Sequence, residues 1–433
     1  MAEPRFPASL ARHGSAPALL ARDGSVLSFA ELDARVAELA ERLTGPRGLV
    51  AIEAEVSQQA IVGLLATWRA GHAAVMLAPD AALWDDFAAR FRPEASWRPA
   101  GPRWRLTRDA ARGGAKPHPE LALLLATSGS TGRARMVRLS ATAVDANARS
   151  IGRYLGLGPD DRAGLVLPLS YSYGLSVLTS HLAAGASLWL HGGSILDADF
   201  LAGLAARGCS NFAGVPYSYE LLERIGFREA ELPALRFMTA AGGRLAPERV
   251  RLYDAHLRAR GGRFFAMYGQ TEATARIAYL PPELAAEKPD RVGRAIPGGA
   301  LALVDDQGRE IAGSGVTGEL VYRGPNVMMG YADARPDLAR GAELDQLATG
   351  DLAERDAEGL YQIVGRLKRI SKIGGARVSL DGLGATLAAE GITAAVAGDD
   401  EELIAAYEGP AAAEAVRARL AVLAAVPGTR VRV

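Results

Sequence analysis

The sequence predicts an α/β protein. It has a large N-terminal domain of parallel-type sheets covered by helices, a small β subdomain, and a small mobile α+β lobe at the C-terminus. Three observations carry this. Apolar strand-like runs alternate with amphipathic helical stretches through much of the chain, the rhythm of βαβ winding. Residues 293–331 switch to short β-type segments separated by glycine and proline. A chain of 433 residues also exceeds what one core accommodates. The boundary falls near Gly365-Arg366, where the charged run RLKRISK precedes a lighter-composition tail. Residues 1–364 and 365–433 are the expected domains.

Taken in order, Ser28-Phe-Ala-Glu31 is a capping box, and Leu32, Val36, Leu39 and Leu43 mark one face of the helix it opens. Gly45-Pro46 stops that helix. LVAIE (49–53) reads as a strand, 59–69 as an apolar helix, and AAVMLAPD (73–80) as the returning strand. Residues 81–120, with Trp84, Trp97 and Trp104, read as a helix and a surface connection. Leu121–Ala126 is a buried strand. A helix is expected around 141–155, a strand at 163–168, and a loop, helix and strand over 169–190. NFAGVP (211–216) and RFFAMYG (263–269) are further strand ends that break into turns.

Composition excludes several classes of function. Acidic and basic residues balance at 49 each, which gives no electrostatic footprint for nucleic acid or an anionic membrane surface. No apolar run approaches the roughly 20 residues of a membrane span, and the N-terminus lacks an apolar signal core, so the expectation is a cytoplasmic protein. Cys209 stands alone, and six scattered histidines show no ligand spacing. Lysine is scarce: Lys116, Lys288, Lys368 and Lys372 are the whole set.

The stretch Leu121–Val137 organises the chemistry. After the strand come Thr127, Ser128, Gly129, Ser130, Thr131 and Gly132, closed by Arg133 and Arg135. Glycines let the backbone approach an anion, hydroxyls and free amides donate to phosphate oxygens, and guanidinium groups add charge. The spacing is not the Walker pattern, and such a loop alone is also what a polar turn after a strand looks like.

Further motifs follow in one order: Tyr268-Gly-Gln-Thr-Glu272, then Thr349-Gly-Asp351, then Gly365-Arg366 with Lys372-Ile-Gly-Gly-Ala-Arg-Val378. With the 127–132 loop they resemble the TSGSTG, YGxTE, TGD and GRxxxxxKxxGxRV motifs of the adenylate-forming superfamily. Its members are acyl-CoA synthetases, aryl-acid ligases and peptide-synthetase adenylation domains. RVGRAIPGG (291–299) and GELVYRGPNVMMGY (318–331) fit the intervening pattern. The resemblance runs from about Ser28 to the C-terminus.

The resemblance implies attack of a carboxylate on the α-phosphate of ATP, giving an acyl-adenylate and pyrophosphate, then displacement of AMP by a thiol or amine. It implies that residues 127–135, with Thr127, Ser128, Ser130, Thr131 and Arg135, stabilise the triphosphate. Glu272 would bind Mg²⁺, with Thr271 beside it. Tyr268 would stack on adenine, where Gly242, Gly243 and Gly269 leave room. Asp351 and Arg366 would hold the ribose. Lys368 would be the hinge, and Lys372 with Gly374-Gly375 would line a pantetheine tunnel in the thioester-forming pose.

The acyl pocket would involve Tyr171, Ser172, Tyr173 and Gly174, walled by Tyr217, Tyr219, Met238 and Thr239. Residues 171–176 contain no carboxylate, which argues against an α-amino acid because its ammonium would be buried unpaired. The expected substrate is therefore an aryl or acyl acid, with coenzyme A or a phosphopantetheine carrier protein as acceptor. An amide-forming ligase with an amine acceptor, or a nucleotide- or acyl-binding protein with impaired catalysis, are the alternatives.

The chain departs from the pattern in three places. Ala134 and Arg135 stand where the family has Pro-Lys, and arginine brings a planar fork in place of a point charge. Gly382-Leu383-Gly384 stands where an EIE triplet is usual. No PxTxxGK-like lysine loop precedes Val433, so a truncated or compact variant is expected.

Overall fold

Ser28 opens the first helix as a capping box requires. Its hydroxyl accepts from the Glu31 amide at 3.2 Å, and the Glu31 carboxylate accepts from the Ser28 amide at 2.8 Å. Strands β1 (Pro17–Ala21) and β2 (Val26–Ser28) precede that helix, α1 (Phe29–Glu41), which buries Leu32, Val36 and Leu39. This computed structural model describes residues 4, 6–109, 113–127, 135–367, 370–373, 376–398, 402–424 and 426–433. β3 (Leu49–Glu53), α2 (Gln58–Arg69), β4 (Ala73–Leu77) and α3 (Ala81–Phe91) keep the expected rhythm. Both strands are buried along their whole length, as a sheet covered on two faces demands.

The segment after α3 is not a surface connection. It forms β5 (Ala95–Ala100) and β6 (Arg103–Arg108), an antiparallel hairpin whose first strand runs parallel to β3. Trp97 and Trp104 face each other with ring centroids 5.7 Å apart. β6 is an edge strand, and its outward arginines give it the composition of a loop.

β7 (Leu121–Thr127) confirms the strand before the hydroxyl-rich loop. It is followed directly by β8 (Arg135–Ser140), a strand hidden in the sequence because Arg138 interrupts its apolar run. The buried Arg138 guanidinium donates to the Met329 and Gly341 carbonyls at 3.1 and 3.2 Å and pairs with Glu343 at 3.0 Å. A charge so fully partnered can occupy a strand interior.

α4 (Ala141–Leu155), β9 (Arg162–Leu165), α5 (Ser172–Ala184), β10 (Ser187–Leu190) and α6 (Phe200–Ala206) come next. β11 (Asn211–Gly214), α7 (Pro216–Arg224), β12 (Phe237–Ala240), α8 (Pro247–Arg258) and β13 (Arg263–Tyr268) continue the winding. Short strands then take over: β14 (Ala278–Tyr279), β15 (Arg294–Ala295), β16 (Ala300–Val304), β17 (Gly318–Arg323), β18 (Gly330–Ala332), β19 (Leu347–Arg355) and β20 (Tyr361–Arg366). The chain closes with β21 (Ile370–Ile373), β22 (Ala376–Ser379), α9 (Leu380–Ala389), β23 (Thr393–Gly398), β24 (Leu403–Glu408), α10 (Ala413–Ala424) and β25 (Val431–Arg432).

Contacts divide the chain into two units: Met1–Ala300 with Tyr322–Leu347, and Leu301–Val321 with Ala348–Val433. In the first unit a nine-stranded sheet runs β15-β14-β13-β12-β11-β9-β10-β1-β2, and a seven-stranded sheet runs β18-β8-β7-β4-β3-β5-β6. The stretch β13-β12-β11-β9-β10-β1 is parallel throughout, as the alternating pattern predicts. Phe212, Tyr219, Met238, Tyr253 and Phe264 form one core, and Val75, Phe87, Phe91, Leu124 and Met136 another.

Residues 293–331 do not make one subdomain. β15 joins the nine-stranded sheet and β18 the seven-stranded one, while β16 and β17 belong to a sheet ordered β16-β17-β19-β20. The contacts thus group 301–321 and 348–364 with the C-terminal residues, where the sequence pattern suggests a break only at 364/365. The second unit also holds the β21–β22 hairpin, a β23-β24-β25 sheet, and a core of Leu387, Leu403, Val416 and Leu420. Among the described residues no helix is long and apolar enough to cross a membrane.

Candidate active site

Thr127 and Arg135 are paired residues at the mouth of the β7–β8 hairpin, and the Thr127 hydroxyl donates to the Arg135 carbonyl at 3.3 Å. The residues between them, including the expected phosphate ligands Ser128, Gly129, Ser130, Thr131 and Gly132, lie outside the described residues. The Arg135 guanidinium is exposed. It lies 4.1 Å from the centroid of the Tyr331 ring and pairs with Asp333 at 3.4 Å.

Tyr331 links this mouth to the second motif. β18 pairs antiparallel with β8, placing Tyr331 opposite Val137, and the Tyr331 hydroxyl donates to Glu272 Oε1 at 2.8 Å. Burial, reinforced by the Glu272 carboxylate, raises the Tyr331 pKa above that of a free phenol, so the hydroxyl keeps its proton. Glu272 and the hairpin mouth are therefore neighbours although Glu272 lies 137 positions after Arg135 in sequence. Sequence reading does not single out Tyr331; its place in the MMGY stretch is the available signal.

The turn that carries Glu272 is tightly determined. β13 ends at Tyr268, and a 3-10 turn spans Thr271–Ala273. A side chain on Gly269 would overlap the Ala275 carbonyl, so only glycine fits there. Thr274 and Ala275 both have positive φ, 56° and 108°, the second a costly conformation for a residue other than glycine. Asn326 holds it: its Nδ2 donates to the Ala273 and Arg276 carbonyls at 2.7 and 2.8 Å, and Thr274 Oγ1 donates to the Asn326 carbonyl at 2.8 Å. Tyr268 is half-buried, with Gln270 Nε2 donating to its hydroxyl at 3.2 Å. Thr271 Oγ1 donates to Ser172 Oγ at 3.2 Å, joining this turn to the start of α5.

At that start Tyr171 is half-buried, and its hydroxyl occupies the space a side chain on Gly242 would need. Gly242 has φ +80°, and Gly242 and Gly243 are exposed, an open backbone edge. Tyr173, buried, shares a hydrogen bond of 2.7 Å with Thr239 Oγ1 and reaches the Thr239 carbonyl at 2.8 Å. Ser172 and Gly174 are buried in the same helical turn. A cavity of about 10 Å³ opens beside Tyr173 and Thr239.

Three expected wall residues are elsewhere. Along β12 side chains alternate, so Thr239 faces α5 while Met238 points into the core with Tyr219, Phe212 and Tyr253. Tyr219 is wholly enclosed there, its hydroxyl donating to the Thr239 carbonyl at 2.8 Å. Tyr217, two residues earlier on α7, is 57% exposed.

The cavity has an occupant the motifs do not reveal. Arg276 is 3% exposed and lines it, its guanidinium 3.9 Å from the centroid of the Tyr173 ring. The signal in the sequence is a lone cation in the apolar run after Glu272.

In the second unit Asp351 and Arg366 are register partners on β19 and β20, joined by an ion pair of 3.1 Å. Asp351 is buried, and its amide donates to Thr349 Oγ1 at 3.1 Å, while Arg366 is largely exposed. Lys372 lies in β21 opposite Arg377. Lys368, Gly374 and Gly375 fall outside the described residues. Cys209 is buried in the first unit, and burial pushes its thiol pKa up to about 12, so it is no nucleophile.

The α/β scaffold thus brings the Thr127–Arg135 hairpin mouth and the Glu272 carboxylate together, with Tyr331 between them. The chain belongs to the AMP-binding enzyme family, whose profile matches residues 86–332. It is 34% identical over 326 residues to sulfoacetate–CoA ligase of Cupriavidus necator, covering 73% of this chain and 61% of that protein. It is 34% identical over 263 residues to indoleacetate–CoA ligase of Aromatoleum aromaticum, covering 60% and 50%. The chain thus spans less than two thirds of the length of these relatives. Its fold superposes on ATP-bound MatB from Rhodopseudomonas palustris with a TM-score of 0.77 at 24% identity, covering 98% of this chain and 94% of that one. The AMP complex of O-succinylbenzoate coenzyme A synthetase from Bacillus subtilis gives 0.75 at 20% identity, covering 99% and 93%.

Proposed function

We propose that this protein activates a carboxylic acid with ATP and passes the acyl group to the thiol of coenzyme A. In the first step a carboxylate oxygen bonds to the α-phosphorus and pyrophosphate leaves. In the second the thiol sulfur bonds to the acyl carbon, AMP leaves, and the thiol proton goes to solvent. The observation that carries the reading is Glu272, fastened by Tyr331 at the mouth of the loop between Thr127 and Arg135.

In that reading, loop residues 128–132 and Arg135 hold the triphosphate, whose charge rises as pyrophosphate departs. Tyr268 takes the adenine face beside the exposed backbone of Gly242 and Gly243, while Gly269 serves the close packing of the turn itself. Asp351, backed by Arg366, takes the ribose hydroxyls, and Lys372 serves the thioester-forming step with Lys368 as the hinge between residues 1–364 and 365–433. Glu272 and the Thr271 hydroxyl are hard oxygen donors that suit Mg²⁺, which would neutralise charge on the phosphates. The family membership and the names of the relatives, which are CoA ligases, support the choice of acceptor. The described residues lining the cavity include no carboxylate, which disfavours an acid carrying an α-ammonium group.

The test is acid-dependent pyrophosphate release from Mg-ATP across a panel of acids, followed by thioester formation with coenzyme A. Acid-dependent release followed by a CoA thioester supports the proposal. Release with transfer only to a carrier protein or an amine would reassign the acceptor. ATP binding without release would leave a nucleotide-binding protein and sink the proposal.

A further inference from the structure

A guanidinium buried in a protein is costly unless a carboxylate or several acceptors repay its lost hydration. Arg138 shows the usual solution, with carbonyls and Glu343 arranged around it. Arg276 differs. Its Nη1 reaches the Ala275 carbonyl only at 3.5 Å, its guanidinium shares a hydrogen bond with the Tyr154 hydroxyl, and its Nε has no hydrogen-bond partner. Among the described residues no carboxylate pairs with it, and the cavity it lines contains no acidic side chain. The rest of the cavity lining mixes apolar side chains such as Ile151, Phe237 and Met267 with neutral polar ones, among them Ser176, Asn211 and Thr239.

The backbone takes trouble to put it there. Ala275, the residue before it, adopts φ +108°, and Asn326 clamps the Arg276 carbonyl at 2.8 Å. The face of the Tyr173 ring orients the guanidinium plane, and Tyr173 lies edge-on to Tyr171 at 6.3 Å. The cation therefore sits in a fixed pose one aromatic ring away from the Tyr171, Gly242 and Thr271 cluster.

We propose that Arg276 binds a second anionic group of the acid substrate, so that this protein selects short acids bearing a distal carboxylate or sulfonate. This rests on the acid-activating reading above. The unpartnered Nε, beside Nη groups held only by neutral acceptors, leaves the guanidinium able to donate to an oxygen of an anion. The cavity as it stands has room for about one water molecule, so a group entering it must be compact. A long alkyl or unsubstituted aryl acid would bury apolar surface against an unpaired cation and lose affinity. The same positive charge repels an α-ammonium group.

The test compares pyrophosphate release with oxalate, malonate, succinate and sulfoacetate against propionate, hexanoate, benzoate and monomethyl malonate, the last keeping the shape but not the charge. The expected kcat/KM preference for the best diacid over its neutral-ended analogue is on the order of 100-fold or more, as for a buried polar site left unpaired. Arg276→Met lowers kcat/KM for the diacid by a similar order and narrows the ratio between the two sets. If the singly charged acids are used as well as the diacids by the native protein, the inference is wrong while acid activation stands. If no acid gives pyrophosphate, acid activation itself fails, and thermal shift with malonate, succinate and sulfoacetate then decides. Stabilisation that Arg276→Met abolishes keeps the anion site, and its absence removes it. The substrate ratio in the native protein needs no variant to fold.

Discussion

The Tyr331 hydroxyl donates to Glu272 Oε1 at 2.8 Å, and the same ring lies under the Arg135 guanidinium. One side chain thus sets the position of a proposed metal-binding carboxylate and of a cation at the loop mouth. Tyr331→Phe keeps the ring and removes only the hydrogen bond. It is expected to lower the rate of pyrophosphate release roughly tenfold and to raise the Mg²⁺ concentration for half-maximal rate, the loss of about one charge-assisted hydrogen bond. Glu272→Gln should cost more, on the order of 100-fold. A Tyr331→Phe protein with the native Mg²⁺ dependence would show that the contact is only structural.

Asn326 is the fastener of the turn from Ala273 to Arg276, and the Tyr322 hydroxyl donates to its Oδ1 at 2.6 Å. Asn326→Ala leaves the Ala273 carbonyl without this donor and the buried Tyr322 hydroxyl without its acceptor, while the Arg276 carbonyl keeps Asn147 Nδ2 at 3.3 Å. A loss of about 2–4 kcal/mol in urea unfolding is expected. Activity should fall further than stability accounts for, because both Glu272 and Arg276 depend on this turn.

Ala275→Gly gives the opposite expectation from most buried substitutions. Glycine relieves the φ of +108° but gives up a methyl group in a buried position and adds chain entropy to the unfolded state. These effects nearly cancel, and the variant should unfold within about 1 kcal/mol of the native protein. A loss well beyond that would mean that the conformation carries no strain.

His181 fixes the sign of a pH effect. Its Nδ1 faces the Val177 carbonyl at 2.8 Å and its Nε2 faces Asn211 Nδ2 at 3.1 Å, so Nδ1 carries the proton and the ring is neutral. Burial holds its pKa below the ordinary histidine value. The unfolded chain takes up a proton near pH 6.5 and the folded one does not, so stability is complete above that pH and is lost as pH falls below it. The slope is at most about 1.4 kcal/mol per pH unit for one such group, and His72, also buried with a lowered pKa, adds in the same direction. Urea midpoints at pH 7.5 and 5.5 should differ less in His181→Gln than in the native protein. Equal differences would exclude His181 as a source.

What the sequence discloses here is mostly local. The Ser28 cap, the buried β3 and β4, and the parallel winding follow from patterns a few residues long. The motifs that resemble adenylate-forming enzymes are short contiguous strings, legible for the same reason. β6 and β8 are harder, because charge in a strand reads as loop until its partners are known: water at an edge for one, four carbonyls and Glu343 for Arg138. The pocket wall is harder still. Met238 and Thr239 are neighbours in sequence, and only the side-chain alternation along β12 sends one into the core and the other to the cavity. Arg276 belongs to no motif, and its importance lies in what is missing around it.

The first unit is assembled from two stretches of chain, ending at Ala300 and resuming at Tyr322. The resumed stretch supplies β18, Tyr331 and Asn326, which fasten Glu272 and the turn before Arg276. No single cut in the gene can therefore separate the units, since a fragment ending at residue 300 would lack the pieces that secure its own site. On the ribosome the same arrangement sets an order of events: the N-terminal two thirds must wait, incompletely latched, until residues as far as Leu347 have been synthesised and have emerged.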